Sequence, residues 1–229
     1  MNSKQIRIAS QIKKQKRALI DGGNDISLTD ILGSNACQQV LSGCREFRER
    51  IYTPMKTIFT FIKQVLNPDK SCKKAVADAS VETLVTSGEK ISTNTGPYCK
   101  ARKRIPEGAV SELVKTTGEM ASKQSIGYWK PYGRELKVFD GSTAKMADTQ
   151  ANQREYPQVK NQKKGLGFPI VRFVVVMSLT VGTVLNYAIG AYSGKGTGES
   201  SLLRSIFDCI KKDDIVLGDR YFPNFFFNV

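Results

Sequence analysis

The spacing of the apolar residues changes character once along this chain, near Gly133, and that change limits the architectures open to it. Before it, apolar positions recur at helical intervals; after Trp129 they gather into short runs rich in Val, Ile and Phe, as strands require. The pattern is helical from about Phe47 to Ser122. The run MKTIFTFIKQVL stops at Asn67-Pro68-Asp69, and Ser71 then stands as a cap for SCKKAVADASVETLV. A turn over Ser92 to Pro97 introduces a short basic segment, YCKARKRIP, after which Pro106 and Glu107 open a further helix, PEGAVSELVKTTGEMASK. Beyond Gly133, ELKVFDGSTAKM reads as two short strands around Asp140-Gly141, and IVRFVVVMSLTVGTVLNYAIG as a longer pair with Gly182 where a hairpin would turn. Helix returns once, over Glu199 to Lys211, with Leu202, Leu203, Ile206 and Ile210 forming a stripe fit to lie on a sheet, and IVLGDRYF follows as a last strand. The expected fold class is α + α/β: a mostly helical region over 1–133, then a mixed sheet over 134–229 in the order β-β-β-α-β.

Charge follows the same division. The chain of 229 residues carries 35 Lys and Arg against 21 Asp and Glu, a net charge of +14, and +10 of this lies in residues 1–133. Such an excess points to a polyanionic partner, because clustered cations gain by displacing counterions from phosphates; nucleic acid is the first expectation and an anionic membrane surface the second. There is no histidine. Imidazole bases, Ser-His-Asp or Cys-His units and His metal ligands are therefore excluded, and any metal would sit on carboxylates or thiolates. The five cysteines form no CxxC pair and read as reduced thiols of a cytosolic protein. The basic N-terminus lacks the apolar core of a signal peptide, and the most apolar stretch, Phe173 to Leu185, is too short to cross a bilayer. No membrane partner is expected.

Two aspartates are placed for chemistry. Asp140 ends the run Leu136-Lys137-Val138-Phe139, and Asp219 follows Ile215-Val216-Leu217-Gly218. Carboxylates at the ends of two neighbouring strands suit a hard divalent cation such as Mg²⁺, which prefers oxygen ligands and keeps waters for a phosphate substrate. Each also has a plain reading, since Asp-Gly is a hairpin signal and Asp-Arg after a strand is often a surface pair. The loop Tyr192 to Glu199 fails as a phosphate-binding P-loop, because Gly196 stands where a Ser or Thr should hold Mg²⁺; it reads as a basic loop before a helix, with Lys195 able to touch DNA phosphates. Lys100, Arg102, Lys103 and Arg104 follow a Gly-containing turn after another helix, as in a helix-turn-helix, and are candidates for DNA contact together with Lys163 and Lys164. Cys99 reads as a small buried apolar residue rather than a nucleophile.

These residues also match a known pattern. Asp140-Gly141-Ser142-Thr143, Asp148-Thr149, Asn152-Gln153, Tyr156-Pro157-Gln158, Gln162, Gly165-Leu166-Gly167-Phe168-Pro169-Ile170 and Arg172 form one block. Gly194-Lys195-Gly196-Thr197-Gly198-Glu199, Leu202-Leu203-Arg204 and Asp219-Arg220-Tyr221-Phe222 follow in order, and upstream stand Phe47 to Tyr52, Gln64-Val65-Leu66, Asn94-Thr95-Gly96 and Tyr98 to Arg102. Taken together, residues 27 to 223 closely resemble the insertion-sequence-4 family of bacterial DDE transposases.

The resemblance implies an RNase H-like catalytic domain in 134–229, present here as its first half, and a helical, basic DNA-binding region in 1–133. It implies a two-metal site for Mg²⁺ or Mn²⁺ in the complete enzyme, with Asp140 as first and Asp219 as second acid of an Asp-Asp-Glu triad. The implied activity is metal-dependent nicking at transposon ends followed by DNA strand transfer. The implied partners are double-stranded terminal repeats, target DNA and further copies of the chain, at the bacterial nucleoid in the cytoplasm. The family's third acid lies beyond the second on a later helix, whereas none of Pro223 to Val229 is acidic and Glu199 precedes Asp219. The chain alone is therefore expected to be inactive, with an open sheet edge and exposed Phe225, Phe226 and Phe227. A non-catalytic fragment that occupies element ends, or inhibits full-length transposase, is the alternative.

Overall fold

The computed structural model describes residues 32–44, 51–125, 130–159, 161, 163 and 165–219. Among these residues five helices come first: α1 (Asn35–Ser42), α2 (Pro54–Leu66), α3 (Cys72–Ser87), α4 (Thr95–Arg104) and α5 (Glu107–Lys123). Their starts are chemically marked. Thr53 caps α2 by accepting from Lys56 N at 3.2 Å, with Pro54 in the first turn; Ser71 caps α3 by accepting from Lys74 N at 3.1 Å; Asn94 caps α4 through Gly96 N at 2.8 Å. Each cap satisfies a backbone donor that the helix leaves without a partner. α3 ends on Gly88, whose φ of 74° is open to glycine at little cost.

The helices bury two apolar clusters. Leu32, Cys37, Leu41, Cys44, Ile58 and Leu113 join α1, α2 and α5; Tyr52, Ala75, Val76, Tyr98 and Ala101 join α3 and α4. No helix among the described residues is long and apolar enough to cross a membrane. All five cysteines are free thiols.

The second half is a four-stranded sheet in the order β3-β2-β1-β4, built from β1 (Leu136–Lys145), β2 (Ile170–Ser178), β3 (Thr183–Ala191) and β4 (Ile215–Leu217). β1–β2 and β2–β3 are antiparallel, and β1–β4 is parallel, reached through a crossover containing α7 (Glu199–Ser205) and a short 3-10 turn at Phe207–Cys209. Leu202, Leu203 and Ile206 bury against Val174, Val176 and Leu185, with Phe139 and Ile210 packed alongside. The stripe anticipated from sequence therefore does lie on a sheet. The arrangement is α+β, a helical set followed by a mixed sheet.

Three local expectations are corrected. β1 is one continuous strand running through Asp140-Gly141, which pair with Val175 and Val174, so this Asp-Gly is not a turn. Helix returns twice: a six-residue α6 (Gln150–Glu155), capped by Thr149, lies between β1 and β2. The later helix ends at Ser205 and does not reach Lys211, because a 3-10 turn carries the chain toward β4.

α5 joins the two halves. Its Leu113 and Met120 belong to a helical cluster, while Gly118 meets β3 so closely that a Cβ there would overlap the Val184 carbonyl oxygen and stand 3.1 Å from Leu185 Cα. Glycine is needed here for close approach.

Candidate functional site

The parallel pairing of β1 and β4 runs toward the two aspartates. Leu136 pairs with Ile215, Lys137 with Val216 and Val138 with Leu217, a constant offset of 79 residues, which is also the offset from Asp140 to Asp219. The strand pairing ends at Val138 and Leu217; carried two residues further, the same offset would set Asp219 opposite Asp140. A contact at Gly218 agrees with that offset one residue past the last pair. A Cβ at Gly218 would collide with the Phe139 ring, so Phe139 lies over the Gly218 backbone as the same offset requires.

The faces follow from the strand's alternation. Phe139 packs into the cluster under α7, and Lys137 bonds to the Cys209 carbonyl on that side. Asp140 therefore projects from the opposite face. Both aspartates are exposed, and the Asp140 carboxylate accepts from Gly141 N at 2.8 Å.

Glu199 is a further acid close to β1, and it lies on the face opposite Asp140. A Cβ at Gly141 would stand 2.6 Å from Glu199 Cδ, so the glutamate chain rests on Gly141 from the α7 face, with the β1 backbone between it and the Asp140 carboxylate. This explains both the continuous strand and the glycine in it. Among the described residues no group of three or more Asp, Glu or Cys side chains is arranged to hold a metal ion. Two aspartates alone would supply only part of the oxygen ligands that a divalent cation takes.

Around Asp140 the motif residues build the connection from β1 to β2. Gln153 donates to Asp148 Oδ1 at 2.8 Å and to the Gly167 carbonyl at 3.0 Å; Gln158 donates to the Lys163 carbonyl at 3.0 Å and accepts from Gly167 N at 3.2 Å. These side chains fold the connection on itself. Arg172 fastens the glycine-rich loop, donating to the Thr197 carbonyl at 3.1 Å with its guanidinium 4.9 Å from the Tyr192 ring centroid.

The basic candidates separate into two kinds. Lys100, Lys103 and Arg104 are exposed on α4, Lys195 is exposed in the loop and Lys163 on the β1–β2 connection. Arg102 is different: it donates to Gln64 Oε1 at 3.3 Å, lies 4.5 Å from the Phe61 ring centroid and contacts Cys72. Tyr98 OH donates to the same Gln64 oxygen at 2.7 Å, and burial pushes this phenol up to about 12. Arg102 thus ties α4 to α2 and α3. The link from α3 to α4 runs from Gly88 to Asn94, longer than the three or four residues of a helix-turn-helix turn, which corrects that reading. Cys99 is half-buried, and its thiol is pushed up by burial and then by Cys72 beside it. Lys164 and Arg220-Tyr221-Phe222, together with Phe225 to Phe227, lie outside the described residues.

Comparison with protein-family models, with curated proteins and with solved structures finds no match.

Proposed function

We propose that this chain is a DNA transposase of the insertion-sequence-4 type, in which Asp140 and Asp219 are two carboxylates of a divalent-metal site on an RNase H-like sheet. The observation that carries the proposal is the parallel β1–β4 register, whose offset of 79 residues equals that between Asp140 and Asp219 and would make them neighbours if continued two residues further. The strand order supports it, since an antiparallel β1-β2-β3 with β4 parallel beside β1 is the arrangement in which the two acids of such a site become neighbours. A net charge of +14 suits a phosphate-rich partner. Bound there, Mg²⁺ would supply Lewis-acid stabilisation of a phosphoryl group and an activated water.

The test is a Mn²⁺ titration of the full chain followed by NMR. Paramagnetic broadening is expected first at residues 139–141 and 218–219, and Asp140→Asn or Asp219→Asn should abolish it. Uniform broadening that ignores both substitutions refutes the site. Because Glu199 is held on the opposite face, two acids alone should not cleave, and Mg²⁺-dependent nicking of transposon-end DNA by the purified chain would overturn that expectation. The same observation favours the second reading, a DNA-binding fragment that occupies the element's ends. Gel shifts on terminal repeats against scrambled duplexes separate a specific binder from a general polyanion binder.

A further inference from the structure

Lys137 is the one buried cation of the sheet's described part, only 4% exposed although it stands in a strand next to apolar residues. Its ammonium donates to Asp214 Oδ2 at 2.6 Å and to the Cys209 carbonyl at 2.7 Å, and the two side chains of the ion pair are 5% and 8% exposed. The same Asp214 oxygen accepts from Lys211 N at 2.6 Å, closing the turn in which Asp213 takes a φ of 74°. One carboxylate thus fixes the turn before β4 to the side chain of β1. The backbone partner of Lys137 is Val216, two residues after Asp214.

We propose that the Lys137–Asp214 pair is the register device of β4: it selects the pairing in which Asp219 faces Asp140, so Lys137 and Asp214 are positioning residues for the metal site. The metal part of this inference rests on the function proposed above; the register part does not. β4 has three paired residues, too few to fix register by their own ladder, and Ile215, Val216 and Leu217 offer similar apolar side chains at each step. A slip by one residue would turn Asp219 to the face occupied by α7, and a slip by two would move it about 6.6 Å along the strand. Either slip carries the Asp214 carboxylate away from Lys137 Nζ and leaves a buried charge unpaired. The apolar alternatives lack this penalty, so the ion pair supplies the discrimination that the short strand cannot.

The experiment uses the full isotope-labelled chain with Lys137→Met/Asp214→Leu, which removes both charges together and so leaves neither one buried without its partner. Two readouts are taken. The first is the NOE between the Phe139 ring and the Gly218 α-protons, which exists only in the native β1–β4 register, with Phe139–Val176 contacts reporting the unaffected β1–β2 pairing. The second is Mn²⁺ affinity. In the double variant the Phe139–Gly218 NOE should disappear or split while the Phe139–Val176 contacts persist, and Mn²⁺ should bind about 10- to 100-fold more weakly, as expected when an outer support of a metal site is removed. A double variant that keeps the Phe139–Gly218 NOE at full intensity overturns the inference. If the NOE is lost but the unaltered chain binds Mn²⁺ no better than Asp140→Asn, the register role stands and the metal reading falls. Asp214→Asn, which leaves the Lys137 ammonium buried without its counter-charge, is the second variant; it should weaken the same NOE at least as much as the double variant does, and an NOE kept at full intensity argues against a register set by the charge pair.

Discussion

Gly118 offers a sharp test of how the helices meet the sheet. A methyl group at this position would overlap the Val184 carbonyl oxygen, with Val184 C at 3.2 Å and Leu185 Cα at 3.1 Å. All three are backbone atoms of β3, so no side chain can rotate aside. For Gly118→Ala, α5 must draw back by roughly an ångström to restore ordinary contact near 3.5 Å, losing part of the dispersion energy along the interface. Overpacking of this kind costs about 1–3 kcal/mol. The better helix propensity of Ala offsets about 0.5–1 kcal/mol of it. The net expectation is a destabilisation of about 1–2 kcal/mol, or a Tm lower by about 2–8 °C for a chain of this size. Gly108 in the same helix has nothing within 4 Å of a Cβ, so the identical substitution there should stabilise, by about 0.4–1 kcal/mol. Urea or thermal unfolding of Gly118→Ala and Gly108→Ala, followed by circular dichroism, reads both. If the two changes shift stability in the same direction, the contact between α5 and β3 is not as described.

Further outcomes are expected. Arg102→Ala should lower stability by about 1–3 kcal/mol through lost bonds and ring packing. It should leave DNA affinity nearly unchanged once folded protein is compared, whereas Lys100→Ala/Lys103→Ala should weaken binding to all duplexes and reduce the slope of log K against log salt by about 1–2. A larger affinity loss for Arg102→Ala would show that its guanidinium turns outward to DNA. At high pH the folded chain should lose stability: burial pushes the Cys209 thiol up to about 11 and the Tyr98 phenol up to about 12, from ordinary values of 9.0 and 10.0. The unfolded chain then releases these protons first, so the contribution is intact below about pH 9 and is lost progressively toward pH 12. Chemical denaturation across that range should show the decline, and a flat profile would count against both buried groups. For the same reason iodoacetamide at pH 8 should alkylate Cys209 more slowly than a thiol of ordinary acidity.

Much of this was legible in the chain because the signals were local. Ser71 and Pro68 mark ends of helices, Gly182 turns a hairpin with a φ of 69°, and the Leu202–Ile206 stripe finds the sheet, each through chemistry confined to a few neighbouring residues. What escaped depends on distant partners. Asp140-Gly141 carries a turn signal, yet stays extended because β2 pairs with it and Glu199 rests on the glycine. Arg102 sits in a basic run that reads as a candidate for DNA contact, while Gln64 and Phe61 on another helix draw it inward. The six residues of α6 have no apolar stripe and are held by Thr149 and the Asn152 and Gln153 side chains. Lys137 is a charged residue inside an apolar run, and the turn bearing Asp214 explains its burial. The offset of the two aspartates was visible as a number but acquired meaning only from the β4 register.

The double allegiance of α5 has a mechanical consequence. With Leu113 and Met120 set among the helices and Gly118 seated on β3, the basic helical half and the carboxylate-bearing sheet share one strut. On the function proposed above, a duplex gripped by Lys100 and Lys103 on α4 would be held at a set span from the sheet that bears Asp140, as between the jaws of a caliper, with that span measured by the protein's own skeleton.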